Sequence, residues 1–202
     1  MNQDIRLSQD IQLPTTETSA PRDQFPWPPG PDDSILLAFF TTLKRSALSP
    51  TAFFRAMPVR GGLGAPVLFY LAIGFVVAVS SLFWKSIRLL TFGPEDLTAF
   101  QALGLSASPG LLLLLEFLLS PLSLLLALFL GAGVTHLMLL IVGGAREGFE
   151  ATTRALAFAY SPLVLAIVPM IGPIVGTIWA TVNAIIGLRE AHRTDTWRAV
   201  VA

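Results

Sequence analysis

The chain has 202 residues, of which 53% are hydrophobic and 13% are charged, and its 13 basic residues balance its 13 acidic ones. This balance gives no electrostatic basis for nucleic-acid binding, and the absence of cysteine excludes disulfides, thiol catalysis and cysteine-based metal sites. Because the hydrophobic residues form long blocks that a soluble domain of this size would interleave with polar ones, the sequence predicts an all-α, polytopic membrane bundle.

Residues 1–33 are polar, and five of the eleven residues from 21 to 31 are proline. Such a segment buries too little surface to offset its ordering entropy, so the sequence predicts a disordered, proline-rich cytosolic tail. The alternative is a docking peptide around Phe25 to Pro29, because proline-rich segments bind aromatic grooves. The tail does not have the pattern of a signal peptide, so we expect membrane insertion to depend on the first internal span.

Residues 34–64 predict short amphipathic helices that lie in the membrane interface. Ser34 is a helix N-cap, and the periodic stretch from Ile35 to Ala47 is too short to cross a bilayer. Ser49-Pro50 starts a second short helix, which carries Phe53 and Phe54. Lipid contact and packing beneath the transmembrane bundle are both compatible with this pattern.

The transmembrane region is predicted to extend over residues 65–188, followed by a cytosolic C-terminal tail, 189–202. Its predicted spans are 65–84, 110–142, 151–168 and 173–188. Segment 110–142 would measure ~50 Å as one helix, so it is either one span kinked at Pro121 or two spans split near Gly131. The distribution of lysine and arginine favours four spans with both termini in the cytosol, and five spans are the alternative.

Three polar residues within the apolar blocks are candidates for function: Glu116, His136 and Asn183. The structural interpretation is a hydrated Glu116 near the outer interface that needs no partner and a neutral His136 bonded to a backbone carbonyl. The functional interpretation is a proton or metal relay, in a small transporter or channel subunit that uses all three residues.

Small residues recur every four positions in the last predicted span, at Gly172, Gly176, Ala180 and Ala184. Such a stripe lets helix backbones approach closely in lipid, either within the chain or between two copies in a homo-oligomer. Asn183 lies one position off the stripe and can add an interhelical hydrogen bond.

Two stretches resemble the Yip1 domain family. Residues 49–58, SPTAFFRAMP, are similar to the short motif before the first span of its bacterial members. Residues 135–192 resemble the longer pattern of Gly-Gly, Phe-x-x-Thr-x-Arg, Ala-Tyr-Ser, Pro-x-x-Gly, Trp and Gly-Leu-Arg-Glu-x-His. The residues that carry it are Gly143, Gly144, Phe149, Thr152, Arg154, Ala159, Tyr160, Ser161, Pro169, Gly172, Trp179 and Gly187 to His192.

The resemblance implies an integral membrane protein with a cytosolic N-terminus. Eukaryotic relatives have five spans, act in vesicle trafficking and contact Rab-type GTPases, and the family brings no catalytic residues. We therefore predict a non-enzymatic scaffold, adaptor or trafficking-like organiser in a bacterial inner membrane, with protein partners that bind through residues 1–64. No cofactor, metal or nucleic acid is expected.

Overall fold

The computed structural model describes residues 25–93 and 108–202, and within these ranges the chain is helical, with no strand. The elements, in chain order, are α1 (Ile35–Leu48), α2 (Pro50–Ala56), α3 (Gly64–Phe92), α4 (Pro109–Ile141), α5 (Gly148–Ala159), a 3₁₀ segment (Ser161–Ile167), α6 (Ile171–His192) and α7 (Thr196–Val201).

Three of these helices, α3, α4 and α6, are long and apolar enough to cross a membrane. The sequence predicts four spans, or five, and the predicted span 151–168 is where the structure differs. This segment is divided at Tyr160 into α5 and the 3₁₀ segment, and neither piece is long enough to cross alone. The cause is local, because Pro162 has no backbone N–H and its ring clashes with the preceding turn of an α-helix.

Segment 110–142 is one continuous helix, α4, which contains Pro121 in its interior. Pro121 cannot bond to the carbonyl of Phe117, four residues earlier. The Ser120 hydroxyl donates to that carbonyl instead, with an oxygen–oxygen distance of 2.7 Å. This bond satisfies the freed carbonyl in an apolar setting, so the helix continues through the proline and does not turn back near Gly131.

The helices define two ends of the bundle. Helix α3 runs antiparallel to α4, since Gly74 lies against Leu124 and Lys85 contacts Glu116. We call the end that carries the start of α3, the end of α4, the start of α5 and the end of α6 the basic end. The distal end carries the end of α3, the start of α4 and the turn at residues 168–170.

The N-terminal segment packs on the bundle from residue 25 onward, which differs from the tail predicted for residues 1–33. Trp27 is 5% exposed, and its Nε1 donates to the carbonyl of Ala65 at 2.6 Å. The Phe25 ring lies 4.8 Å from that of Phe53 and 5.3 Å from that of Phe158. Burial of two large aromatic side chains offsets the entropy of ordering this short segment. The part of the predicted tail before residue 25 lies outside the described residues.

Candidate functional site

A chain of hydrogen bonds joins α4, α5 and α6 at the basic end. The Thr152 hydroxyl lies 2.8 Å from Nδ1 of His136 and 2.8 Å from Nε2 of His192. The backbone N–H of Glu147 donates to Nδ1 of His192 at 3.2 Å. Both Thr152 and His192 are fully buried. One threonine hydroxyl therefore connects two imidazoles that come from different helices.

The direction of these bonds follows from the donors. A backbone N–H can only donate, so Nδ1 of His192 is the unprotonated nitrogen and Nε2 carries the hydrogen. Nε2 then donates to Thr152, whose own hydroxyl hydrogen is available to His136. The two rings lie 6.0 Å apart, and the arrangement uses both as neutral groups. Its chemistry is that of a structural connection between three helices.

Arg154 holds the loop before α3. The residue is 5% exposed, and its Nη1 donates to the carbonyl of Gly62 and lies 3.6 Å from Oε1 of Glu150. The same Glu150 oxygen accepts the backbone N–H of Gly62 at 2.7 Å. Gly62 has a φ of +87°, a conformation that favours glycine. The glycine-rich segment at residues 61–64 is therefore fixed to α5 through both backbone groups of Gly62.

The connector between α4 and α5, residues 142–147, is tied to the C-terminal elements. Arg198 Nη1 donates to the carbonyl of Gly143 at 3.1 Å, and Arg146 Nη1 donates to that of Arg193 at 2.8 Å. Gly143 has a φ of +68°. A Cβ on Gly144 would lie 3.0 Å from the Leu139 side chain, so the connector passes close to the end of α4.

Gly187 lets α2 pack directly on α6. A Cβ on this glycine would lie 3.1 Å from Cε1 of Phe54, which is 1% exposed. Phe53, also buried, packs edge-on against Phe54 at 5.2 Å. The Phe149 ring lies 5.8 Å from that of His136. These residues fix α2 and the start of α5 on the bundle at the basic end.

The small-residue stripe of α6 packs within the chain. A Cβ on Gly172 would lie 1.9 Å from the carbonyl oxygen of Leu165, and one on Gly176 would lie 2.9 Å from that of Pro162. Ala180 is 2% exposed. The 3₁₀ segment therefore covers both glycines, and Pro169 stands in the turn that joins it to α6. A homo-oligomer formed through this stripe stays a prediction.

A family model for the Yip1 domain matches residues 44–202, most of the chain. The chain belongs to the Yip1 domain family. No curated protein and no solved structure matches it. The match confirms the resemblance seen in the sequence, and the apolar helices agree with an integral, multi-pass membrane protein.

Within this Yip1 domain, hydrogen bonds at a second place anchor α1 to the middle of α6. Asn183 Nδ2 donates to the carbonyl of Ser46 at 3.0 Å, and Trp179 Nε1 donates to that of Ala47 at 3.0 Å. The hydroxyls of Ser46 and Ser161 lie 2.7 Å apart, and both residues are fully buried. The last carbonyls of α1, which have no partner within the helix, are thereby satisfied by α6.

Helix α1 buries two hydroxyl residues, Thr42 and Ser46, against the protein and presents several large apolar residues outward. Ala38, Thr42 and Ser46 form its buried face. The outward side chains are 60–69% exposed and comprise Ile35, Leu36, Leu37, Phe40 and Leu48. This distribution is the reverse of a helix on a water-soluble protein and is typical of contact with lipid.

Glu116 contacts Lys85 of the neighbouring helix, and each of the two side chains is 44% exposed. The sequence predicts a hydrated Glu116 without a partner, so the ion pair is a correction. His136 bonds to Thr152, where a backbone carbonyl was the expected partner. Glu116, His136 and Asn183 therefore lie in three separate contacts, and the structure does not bring them together as a relay.

Several partners in these contacts were not candidates from the sequence alone. Lys85 directly follows the predicted first span, where the sequence indicates an interfacial anchor. His192 has a signal, because it is the last residue of the Yip1 pattern, but its bond to Thr152 joins positions 40 residues apart. Sequence periodicity cannot predict a contact between residues so far apart along the chain.

Proposed function

We propose that this Yip1 domain is a non-enzymatic membrane scaffold whose basic end faces the cytosol and presents a folded platform to protein partners. The observation that carries the proposal is that residues of the family's sequence pattern make structural contacts within the chain. Thr152, Arg154, His192, Gly144 and Gly187 serve to hold α2, the loop before α3, α7 and the connector in place. A platform built this way is a rigid surface, and its motif side chains are engaged in internal contacts.

The chain crosses the membrane four times in this proposal. The limb formed by α5 and the 3₁₀ segment runs antiparallel to α6 along its whole length, since Thr152 contacts His192 at one end and Leu165 meets Gly172 at the other. If α6 crosses the bilayer, a limb of the same height beside it crosses as well. The break at Tyr160 is tolerated because α3 and α6 flank it.

The orientation follows from the positions of the basic residues. Seven arginines belong to the basic end: Arg55, Arg60, Arg146, Arg154, Arg189, Arg193 and Arg198. Two basic residues of the described chain, Lys85 and Arg88, belong to the distal end. Positive residues near the ends of spans are retained on the cytosolic side, so the basic end is cytosolic and both described termini lie there. The bacterial inner membrane stays the predicted location.

Single-cysteine labelling tests this topology, and the chain has no native cysteine to remove. We expect Arg60→Cys and Asp195→Cys to react with a membrane-impermeant maleimide only from the cytosolic side. Phe92→Cys and Met170→Cys, whose native side chains are 73% and 84% exposed, should react only from the opposite side. Labelling of Met170→Cys from the cytosol would show that the limb and α6 re-enter without crossing.

The platform carries exposed cations on a fixed framework. The side chains of Arg55 and Arg60 are 70% and 80% exposed, and their partners Glu190 and Glu147 belong to α6 and the connector. Trp197 on α7 is 56% exposed, and the Arg198 guanidinium lies 5.3 Å from the centre of its ring. Exposed arginine and tryptophan are residue types that protein interfaces favour. This surface suits a partner with an acidic face.

Deletion of residues 1–64 would not test the platform cleanly, because it removes Trp27, Phe53 and Phe54 from the core. We instead expect a photo-crosslinking side chain at Arg60 or Trp197 to form protein adducts in native membranes. The same probe at Leu90 or Met170, which are 86% and 84% exposed at the distal end, should form no protein adducts. Protein adducts of equal yield from both ends would contradict the proposal.

A further inference from the structure

A cleft of about 190 Å³ lies between α3 and α4 at the distal half of the bundle. The two helices touch on either side of it. Toward the basic end Gly74 meets Leu124, and toward the distal end Leu82 and Leu89 pack on the leucines at 112 and 113. The cleft stays open because its lining includes small residues, Ala78, Ser81, Ser120 and Ser123, whose side chains are too short to fill the gap.

The lining also includes an ion pair that has further hydrogen-bond donors and acceptors available. Lys85 Nζ contacts Oε1 of Glu116, and both side chains are partly exposed. A lysine ammonium has three donors and a carboxylate has two oxygens, so two N–H groups and Oε2 remain for a ligand. The cleft therefore offers a cation and an anion side by side to one molecule.

The pair lies where a lipid headgroup would lie. Trp84 precedes Lys85, and its Nε1 donates to the carbonyl of Ile167, next to the turn at the distal end. Tryptophan is enriched at the level of lipid headgroups, so this level marks the distal membrane interface. Ser81, one helical turn below Lys85, also lines the cleft, and its hydroxyl has no hydrogen bond within the described part of the chain.

The volume of the cleft is too small to enclose a whole small-molecule ligand. Pockets that enclose small molecules measure roughly 300 Å³ or more, so this cleft holds only part of a molecule. A stretch of acyl chain is such a part, and its headgroup would then reach the ion pair. Ser81 is placed to donate to an ester carbonyl, one turn below the phosphate.

We propose that this cleft binds one phospholipid with a zwitterionic headgroup that carries a primary ammonium, as phosphatidylethanolamine does. Lys85 binds the phosphate, and Glu116 accepts hydrogen bonds from the headgroup ammonium. A purely anionic headgroup leaves the Glu116 carboxylate facing uncompensated negative charge. A choline headgroup has no N–H to donate. The proposal goes beyond the scaffold function and requires only that the chain is embedded in a membrane.

Lipid retention tests the proposal. The full chain is reconstituted in nanodiscs made from an equimolar mixture of phosphatidylethanolamine, phosphatidylcholine and phosphatidylglycerol. Native mass spectrometry then identifies the lipid that stays bound when the disc is removed. We expect phosphatidylethanolamine to be retained about tenfold over phosphatidylcholine, because charge-assisted hydrogen bonds to Glu116 distinguish the two.

Three variants and one control assign this preference to the cleft. Glu116→Gln should bring retention of phosphatidylethanolamine down to that of phosphatidylcholine. Lys85→Gln should reduce retention of all three lipids, and Ser81→Leu should do so by filling the cleft while both charges remain. Lys44→Gln, the same change at an exposed site on α1, should leave retention unchanged.

Equal retention of phosphatidylethanolamine and phosphatidylcholine by the native chain would overturn the proposal, as would greater retention of phosphatidylglycerol. Should Glu116→Gln aggregate, Ser81→Leu decides the question, because unchanged retention in that variant also overturns it. These outcomes are independent of the crosslinks at the basic end, so the two proposals fail separately.

Discussion

Replacement of Gly172 by alanine is expected to destabilise the folded chain by about 3 kcal/mol, although it adds a single methyl group. The new Cβ would lie 1.9 Å from the carbonyl oxygen of Leu165 and 3.2 Å from Cα of Ala166. Both contacts are with backbone, so a rotamer change cannot relieve them. The 3₁₀ segment must move away from α6, and the contacts between them are lost. Thermal unfolding in detergent should show a midpoint lower by about 10 °C.

Gly133→Ala is the matched control, because Gly133 lies in a membrane helix, α4, and a Cβ added there would meet no atom within 4 Å. This variant should unfold within a few degrees of the native chain, since alanine is the better helix former. Equal midpoints for the two variants would show that α6 and the 3₁₀ segment do not pack as described.

The stripe of α6 illustrates how far the sequence predicts this fold. A small residue every fourth position indicates close helix packing, and Gly172 and Gly176 do pack closely. The stripe does not say which element fills it. That element is a 3₁₀ segment of the same chain, and its geometry arises from Pro162, which cannot continue an α-helix.

The segment around Phe25 and Trp27 shows why composition misleads at a boundary. Five prolines in eleven residues predict disorder, because such a stretch has little to bury. Two aromatic side chains are enough to fix this part when cavities between Ala65, Phe53 and Phe158 accept them. Those cavities exist only after the helices have assembled, so no local pattern reveals them.

The polar contacts, like the sites for Phe25 and Trp27, form only when the helices assemble. Glu116, His136 and Asn183 are visible in the sequence because each interrupts an apolar block. Their partners, Lys85, Thr152 and Ser46, lie 31, 16 and 137 residues away along the chain. Residue type selects the candidates, and only tertiary packing selects the pairs. For this reason one relay was conceivable from the sequence, whereas the structure has three separate contacts.

Replacement of Thr152 by valine, which has nearly the same shape, is expected to destabilise the basic end by about 3 kcal/mol. The change leaves Nε2–H of the fully buried His192 without an acceptor and Nδ1 of the partly buried His136 without a donor. Each unsatisfied buried group costs about 1–3 kcal/mol. Thr152→Ser keeps the hydroxyl and should therefore recover most of the lost stability. If the role of Thr152 were only steric, valine, which keeps its shape, would be tolerated better than serine.

Two readouts separate this effect from general destabilisation. Thr181→Val removes an exposed hydroxyl that bonds only to Thr177 within its own helix, so its stability should change by less than about 0.5 kcal/mol. Trypsin should cut Thr152→Val faster after Arg146, because the Glu147 N–H bond that holds the connector depends on the position of the His192 ring. If Thr152→Val and Thr181→Val have the same stability and are cut by trypsin at the same rate, the hydrogen-bond chain does not hold the platform. The scaffold proposal then loses its structural basis.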